Sequence, residues 1–297
     1  MSVLHLFSRV IRRDPLLVVC FIYLLLLIVL AFWGINHTGY DYIKISGDSL
    51  QPPSYAHWWG TDLHGRDLLT RTLYGARISL LIAAVATLVS LTVGVSYGMV
   101  SGYLGGRIDN LMMRLVEIIY SLPTLILVIV LVATLEGSAT ALLKWIGLGW
   151  LSPRLVLLFV FIGLTEWLTM ARIIRGQVLV LKQQPFVQAS LALGQSHWQI
   201  LWKYLLPNLS GIILVYLTLT IPAVILDESF LSFLGLGVQE PDASWGTLVS
   251  EAAALINPVH SYWWTLLFPG GMMALTLLAL NFLGDGLRDT LDPRVKK

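Results

Sequence analysis

The sequence predicts an all-α membrane protein in which six transmembrane helices cross the bilayer and both termini are cytoplasmic. Hydrophobic residues make up 57% of the 297 residues and charged residues only 12%, about half the charged fraction of soluble domains. Eleven tryptophans and eleven tyrosines supply side chains that favour membrane interfaces. Six apolar runs are long enough to be read as spans, for which a helix needs about 20 residues.

The apolar runs alternate with polar segments along the whole chain. In chain order, the runs are residues 15–33, 78–100, 115–135, 155–174, 211–226 and 263–283. Around them lie an arm at 1–14, loops at 34–77, 182–207 and 234–262, and a tail at 284–297, with 78–283 as the helical core. The first run is too long for the apolar region of a signal peptide, so we interpret it as a span. Pro123 predicts a kink in the third run.

The distribution of basic residues predicts the orientation. Thirteen of the 19 lysines and arginines fall in the arm, in 101–114, in 172–203 and in the tail, whereas the loop at 234–262 has none. Cytoplasmic segments carry the excess of lysine and arginine. We therefore expect both termini and the 182–207 loop to be cytoplasmic.

The 182–207 loop contains a short helix, predicted over residues 185–196, with a defined start and end. Pro185 stands at a first-turn position, Gly194 supplies a turn and Pro207 closes the segment. The predicted apolar face consists of Phe186, Val187, Ala189, Leu191, Ala192 and Leu193. An ordinary loop between spans does not need such a helix, so we predict that it docks onto a partner outside the membrane.

The motifs of catalysis are missing from the sequence. It contains no G-x-x-x-x-G-K-[ST] phosphate-binding loop, no H-E-x-x-H and no G-x-S-x-G, so we expect a non-catalytic chain that binds no ATP itself. Cys20 is the single cysteine and the six histidines are dispersed, which argues against a metal site. A net charge of +2 suggests no nucleic-acid partner.

Charged residues within the spans are candidates for a translocation pathway. A charge inside the membrane is costly, so each should face a partner or a wet cavity. Glu166, Asp227 and Glu228 either line a pathway or gate, or form structural pairs. Arg114, Glu117 and Arg172 lie near the cytoplasmic boundary and favour a structural role.

Two external segments have both a structural and a functional interpretation. In 60–80, Asp62 caps a helix and Asp67 pairs with Arg71 four residues later; alternatively, Asp62, Arg66 and Asp67 contact an external partner. In 234–262, the external partner candidates are Gln239, Glu240 and Trp245, and an ordinary solvated loop is equally compatible with the sequence.

Four stretches resemble a known family. Residues 188–207 are similar to the cytoplasmic signature of ABC importer permeases, in which a Glu-Ala-Ala triplet precedes a glycine and a downstream proline. GTDLHGRDLLTRTLYGARISL, DESFLSFLGLGVQEPDASWGTL and GDGLRDTLDP resemble the C-type permease subunits of oligopeptide and dipeptide importers. The resemblance covers nearly the whole chain from Gly60, and the first 59 residues match only in layout.

This resemblance implies a type I ABC importer permease fold in a bacterial inner membrane. The implied partners are a second homologous permease, two cytoplasmic ATPases that hold ATP and Mg²⁺, and an external substrate-binding protein that delivers peptide, here an oligopeptide. The residues implied in ATPase coupling are Phe186, Gln188, Ala189, Ser190, Leu193, Gly194 and Pro207.

The chain departs from the family signature at two positions. Gln188 replaces the usual Glu and Ser190 the usual Ala, so apolar docking through Phe186 and Leu193 is expected to dominate. An ion-coupled secondary transporter, an exporter subunit, and a permease for nickel chelates or antimicrobial peptides remain alternatives.

Overall fold

The computed structural model describes residues 15–148, 152–257 and 260–291. The predicted arm at 1–14 and the end of the tail, 292–297, lie outside the described residues. Regular structure in the described residues is helical, apart from one isolated β-bridge. The helices are α1 (Pro15–Phe32), α2 (Leu68–Leu104), α3 (Gly106–Tyr120), α4 (Thr124–Trp145), α5 (Pro153–Leu181), α6 (Pro185–Ala192), α7 (His197–Phe233), α8 (Trp245–Ala254) and α9 (Trp263–Leu291).

Six of these helices are long and apolar enough to cross a membrane: α1, α2, α4, α5, α7 and α9. The prediction of an all-α protein with six spans is thereby confirmed. The remaining three helices, α3, α6 and α8, are shorter and connect the spans.

The third span lies further along the chain than predicted. Instead of one kinked run over 115–135, α3 ends at Tyr120 and Pro123 stands as the N-cap of α4. A proline lacks an N–H group and disfavours the helical conformation in the residue before it, so it suits a helix start. The sequence before Pro123 forms a separate amphipathic helix, in which Met113 and Val116 are buried and Leu111 and Leu115 are exposed.

Two further helices extend beyond their apolar runs. α2 begins at Leu68, ten residues before the predicted start, because its polar first turns are capped and paired within the protein. α7 runs through Pro207, which was expected to close the preceding segment. A π-helical stretch at Ile200–Leu205 ends two residues before that proline, and such a bulge accommodates the missing hydrogen bond.

α2 and α5 form the central pair of the bundle. Gly94, Gly98 and Gly102 lie one turn apart on α2 and face α5. A Cβ atom at Gly94 would lie 2.7 Å from Met170 Cβ, so only glycine permits this approach of the two helices. Small residues at a helix interface allow the backbones to pack closely, as in many membrane bundles.

The remaining contacts define two ends of the molecule. At the α8 end, Trp264 at the start of α9 donates to Thr61 O before α2. At the opposite α6 end, Lys182 Nζ donates to Gly102 O near the end of α2. Leu17 in α1 packs against Gly286 in α9, so both described chain ends lie at the α6 end.

Candidate functional site

The helix α6 begins at Pro185 as predicted, but it ends at Ala192, before the predicted end at residue 196. Gln184 is extended, Pro185 occupies the first turn, and Gly194 adopts φ +75°. That φ lies in the left-handed region, which glycine occupies without strain. Ser196 then begins α7 with a reciprocal capping box to Gln199, so the connection between α6 and α7 is short and well defined.

The predicted apolar face of α6 divides into two faces. Val187 is fully buried in the cluster that also contains Ile174, Val178 and Ile200. Ser190, predicted to couple to an ATPase, is buried and donates to Phe186 O at 2.9 Å. Val187 therefore attaches α6 to the rest of the chain, and the buried Ser190 faces inward beside it.

The opposite face of α6 is exposed and mostly apolar. Phe186 is 38% exposed and Leu193 is 80% exposed. Gln188, Ala189 and Gly194 share this exposure. Gln188 Nε2 donates to Lys182 O at 2.8 Å, so its side chain is partly engaged within the chain. Covering an exposed apolar face with a partner removes its side chains from water and is therefore favourable.

A three-helix clamp that the sequence did not predict lies beside α6. Asp109 in α3 accepts hydrogen bonds from Arg175 Nε at 2.7 Å and Arg175 Nη2 at 2.6 Å, and from Ser101 Oγ at 2.5 Å. These residues join α3, α5 and α2. The Arg175 guanidinium holds the pKa of Asp109 below its ordinary value and outweighs the opposing effect of burial. Because the two partners are 66 residues apart in the sequence, no local spacing pattern indicates that they pair.

The three pathway candidates do not lie together. Glu228 in α7 is fully buried, where it accepts hydrogen bonds from Ser79 Oγ at 3.1 Å and Ser232 Oγ at 2.7 Å. Ser79 also accepts from the backbone N–H of Trp245. Glu228 is thus part of the junction between α2, α7 and α8 and lines no open space.

Glu166 in α5 and Asp227 in α7 are partly exposed, and these two helices pack against each other. Two of the three candidates thus lie on neighbouring spans. Charged groups within membrane spans usually face a charged partner, an ion or a water-filled cavity. The role of this pair in translocation stays a prediction.

At the α8 end, the predicted local pairing is replaced by a longer-range network. Asp62 accepts from Arg66 Nε at 2.7 Å and also pairs with Arg71 Nη1. Arg71 extends to Glu251 Oε2 of α8 at 3.1 Å. The expected Asp67–Arg71 pair is therefore wrong.

Asp67, and not Asp62, caps α2. Its carboxylate accepts from Thr70 N at 2.9 Å and contacts His57 Nδ1 at 2.9 Å.

Burial alone would raise the pKa of Asp62, but the Arg66 N–H and the charge of Arg71 outweigh it, so the pKa lies below its ordinary value. The carboxylate of Asp62 thus stays ionised in its buried position.

Four of the six residues predicted to contact an external partner are buried. Asp62, Arg66, Asp67 and Trp245 are at most 5% exposed, so they hold the segment together and cannot meet a partner directly. Gln239 and Glu240 are exposed.

The six spans and the short helix α6 between the fourth and fifth define a multi-pass membrane protein of the ABC importer permease fold. The model for the family described as binding-protein-dependent transport system inner membrane component matches residues 94–297. The chain belongs to this family.

Individual relatives agree with the family match. The dipeptide transport system permease protein DppC of Bacillus subtilis (strain 168) is 44% identical over 290 residues, which cover 97% of this chain and 85% of that protein. The oligopeptide transport system permease protein OppC of Haemophilus influenzae is 47% identical over 238 residues, covering 80% and 70% respectively. The predicted resemblance to the oligopeptide and dipeptide permeases is confirmed.

A solved structure supports the fold alone. A chain from inward-facing conformations of the MetNI methionine ABC transporter superimposes with a TM-score of 0.53 at 16% identity, covering 75% of this chain and 96% of that chain.

Proposed function

We propose that this chain is the transmembrane permease subunit of an ATP-driven, binding-protein-dependent peptide importer of the bacterial inner membrane. The substrate class is peptide, with oligopeptides as the expected cargo. The observation that supports this function best is the exposed apolar face of α6, which lies within the region that the family model matches. Peptide follows from the relatives, which are named as dipeptide and oligopeptide permeases.

In this function the chain makes and breaks no covalent bonds. Two cytoplasmic ATPases hold ATP and Mg²⁺, and the exposed face of α6 sits in a groove of one of them. A second homologous permease completes the pathway, and an external binding protein delivers the peptide. The basic residues near α6 favour placing this end in the cytoplasm.

Transport then requires only that ATP binds one arrangement of the ATPases more tightly than the other. A change in that arrangement displaces α6. Lys182 and the Arg175–Asp109 pair link the region around α6 to α2 and α3, so the displacement reaches the bundle. The pathway opens to one side of the membrane at a time.

Docking through α6 is tested with Phe186→Asp. The charge should prevent burial of this side chain, so the ATPases should no longer co-purify in mild detergent, and peptide uptake should be lost. Phe186→Leu keeps an apolar side chain and is the matched control, with near-normal uptake expected. The monodispersity of both variants confirms folding. Intact ATPase binding and uptake in Phe186→Asp would show that α6 is not the docking helix.

The energy source is tested by depleting cellular ATP in one sample and collapsing the proton gradient in another. Uptake of labelled peptides should stop with ATP depletion and should require the binding protein. Uptake that survives ATP depletion but ends with the gradient indicates an ion-coupled carrier, for which Glu166 and Asp227 are the candidate coupling groups. Glu166→Gln and Asp227→Asn distinguish the two cases directly.

A further inference from the structure

A cavity of about 690 Å³ lies between the end of α2, the helix α6 and the start of α7. Its apolar wall includes Val100, Leu104 and Trp198, and its polar wall includes Lys182 and His197. Leu104 is 55% exposed and Trp198 is 65% exposed. The cavity is therefore open to the surface and combines apolar side chains with basic ones.

The cavity lies on the side of α6 that is turned away from the proposed docking face for an ATPase. Val187 and Leu191, one turn apart on α6, line the cavity, whereas Phe186 and Ala189 are exposed on the docking face. Val187 and Ala189 are two residues apart, which places their side chains about 200° apart around the helix axis. An ATPase that covers the docking face thus leaves the cavity uncovered.

Two side chains in the cavity can donate further hydrogen bonds. Within the described part of the chain, Lys182 Nζ donates one hydrogen bond, to Gly102 O at 2.8 Å, and an ammonium group has three donors. Tyr103 Oη and His197 Nδ1 are 2.6 Å apart. With the tyrosine as the donor, the ring proton lies on Nε2 and can be donated as well. An anion in the cavity can therefore be bound by Lys182 and His197 together.

The surroundings of the cavity carry little negative charge. Neither α2 nor the stretch 181–226 contains an aspartate or a glutamate. Asp109 of α3 acts on Lys182 through its charge, but it is bound by Arg175 at 2.6 Å. Among the described residues that line the cavity, none is a carboxylate. Because opposite charges attract, the complementary ligand is an anion and not a cation.

We propose that this cavity binds an anionic phospholipid from the leaflet at the α6 end, with the lipid phosphate on Lys182 and His197. Basic pockets between spans are suited to anionic headgroups. A zwitterionic headgroup would bring an ammonium group for which the cavity wall supplies no carboxylate, so phosphatidylglycerol fits better than phosphatidylethanolamine. Such a site does not depend on which substrate the protein transports.

The apolar wall and the neighbouring tryptophans favour a lipid over a free anion. Val100 and Leu104 lie one turn apart on α2 and are both exposed, so they offer a seat for an acyl chain. Trp198 contacts Trp202, with 5.4 Å between the ring centroids, and tryptophans are typical of the membrane–water interface. A lipid bound here contacts α2 and the start of α7 at once and should stabilise the α6 end.

The test uses the complete transporter purified in mild detergent. Dioleoyl-phosphatidylglycerol is added in increasing concentration, and Tm is measured without peptide or nucleotide. In the unmodified transporter Tm should rise, because a ligand that binds only the folded state stabilises it. In Lys182→Gln, the concentration that gives half of the maximal rise should increase about tenfold, which corresponds to about 1.4 kcal/mol of binding free energy.

The matched control is Lys203→Gln, which removes the same charge outside the cavity. Lys203 is exposed and follows the cavity residue Leu201 by two positions, so it projects from the opposite side of α7. Its half-maximal concentration should stay unchanged. Leu104→Ser keeps both donors but removes apolar surface at an exposed position, and it should increase the concentration by a smaller factor. This variant tests the site even if Lys182→Gln fails to fold.

Four outcomes overturn the proposal. They are no rise of Tm with phosphatidylglycerol in the unmodified transporter, equal increases in Lys182→Gln and Lys203→Gln, an unchanged concentration in Leu104→Ser, and an equal rise of Tm with dioleoyl-phosphatidylethanolamine. Inorganic phosphate should not raise Tm, and an equal rise with phosphate would show that the cavity takes a free anion and not a lipid. None of these outcomes bears on peptide import, which the uptake experiments test separately.

Discussion

The two ends of this molecule differ in how firmly their segments are attached to the helical bundle. At the α8 end, Asp62, Arg66 and Arg71 are at most 5% exposed and pair with one another and with α8. At the α6 end, α6 is held by one buried aliphatic side chain, Val187, and by a few hydrogen bonds. The α8 end is thus held by interlinked charges, whereas the helix α6 itself is lightly attached and has an exposed face. The charged clamp at the α6 end joins α2, α3 and α5 and does not include α6.

This difference follows from what a moving part requires. Buried charges must keep their partners, so an opening of the α8 end exposes several uncompensated groups at once. Segments with few buried contacts open at low free-energy cost. The α6 end therefore suits a helix that moves with an ATPase, and the α8 end suits a fixed surface.

The largest decrease in thermal stability is expected when the charge network at the α8 end is broken. Arg71→Met leaves Asp62 and Glu251 without a shared partner, and removing one member of a buried pair costs about 3–5 kcal/mol. Thermal unfolding of the purified complex in detergent should show a marked decrease in Tm.

Arg77→Met is the control for that experiment. Arg77 lies on the same helix but is exposed and contacts only the Phe32 ring among the contacts described, at 5.5 Å from its centroid. A cation–π contact at an exposed site contributes about 0.5–1 kcal/mol. Equal Tm losses in the two variants would contradict a locked α8 end.

The next largest effect on Tm is expected at the contact between α2 and α5, the two helices that connect the two ends. In Gly98→Ala, the new Cβ would collide with the Ala171 carbonyl oxygen of α5, and overpacking of this kind typically costs about 1–3 kcal/mol. Tm should decrease, and uptake should fall because α2 and α5 no longer move as one body.

A second glycine provides the comparison. Gly176 lies in α5, where an added Cβ meets nothing within 4 Å. Gly176→Ala should be neutral or stabilise the helix by roughly 0.5–1 kcal/mol. A Tm decrease of similar size in both variants would indicate helix flexibility, and not close packing, as the role of Gly98.

The fold was largely predictable because span length and composition are local properties. Six apolar runs, Pro185 and Gly194 were sufficient to place five of the spans and α6. The third span was displaced because Pro123 precedes the start of α4 and does not kink a continuous helix. Other errors arose where a polar residue was satisfied by distant groups. Arg71 pairs with Glu251, 180 positions away, so α2 begins ten residues earlier than the apolar run.

The candidate site was predictable only in part, for the same reason. The position of α6 follows from its own residues, but the inward orientation of Ser190 depends on packing against other helices. Burial of Asp62 and Trp245 likewise depends on tertiary contacts. The Asp109–Arg175 clamp and the network of Asp62, Arg71 and Glu251 join residues from different segments, which no spacing rule reveals.

A smaller effect is expected from the clamp beside α6. Asp109→Asn keeps the shape of the side chain but removes its charge, and since charge-assisted hydrogen bonds are roughly twice as strong as neutral ones, the loss is about 1 kcal/mol. Peptide transported per ATP hydrolysed should decrease more than hydrolysis itself, because α3 no longer follows α5.

A double-mutant cycle identifies the cause. Arg175→Gln combined with Asp109→Asn should impair transport about as much as either change alone, since residues in one contact are not additive. Asp289→Asn, at an exposed position of the same end, should change nothing. Additive losses would show that the two residues act separately.

The smallest effect is predicted for Gln188→Glu, which restores the charge usual in the family. The change removes the hydrogen bond to Lys182 O but places a negative charge in the first turn of α6, where the helix dipole favours it by about 0.3–1 kcal/mol. Stability should therefore hardly change. Because Phe186 and Leu193 supply the apolar contact, apparent ATPase affinity should rise less than about threefold, or about 0.6 kcal/mol. A tenfold rise would show that charge dominates docking at the α6 end, and that this end resembles the α8 end more closely than its exposed face indicates.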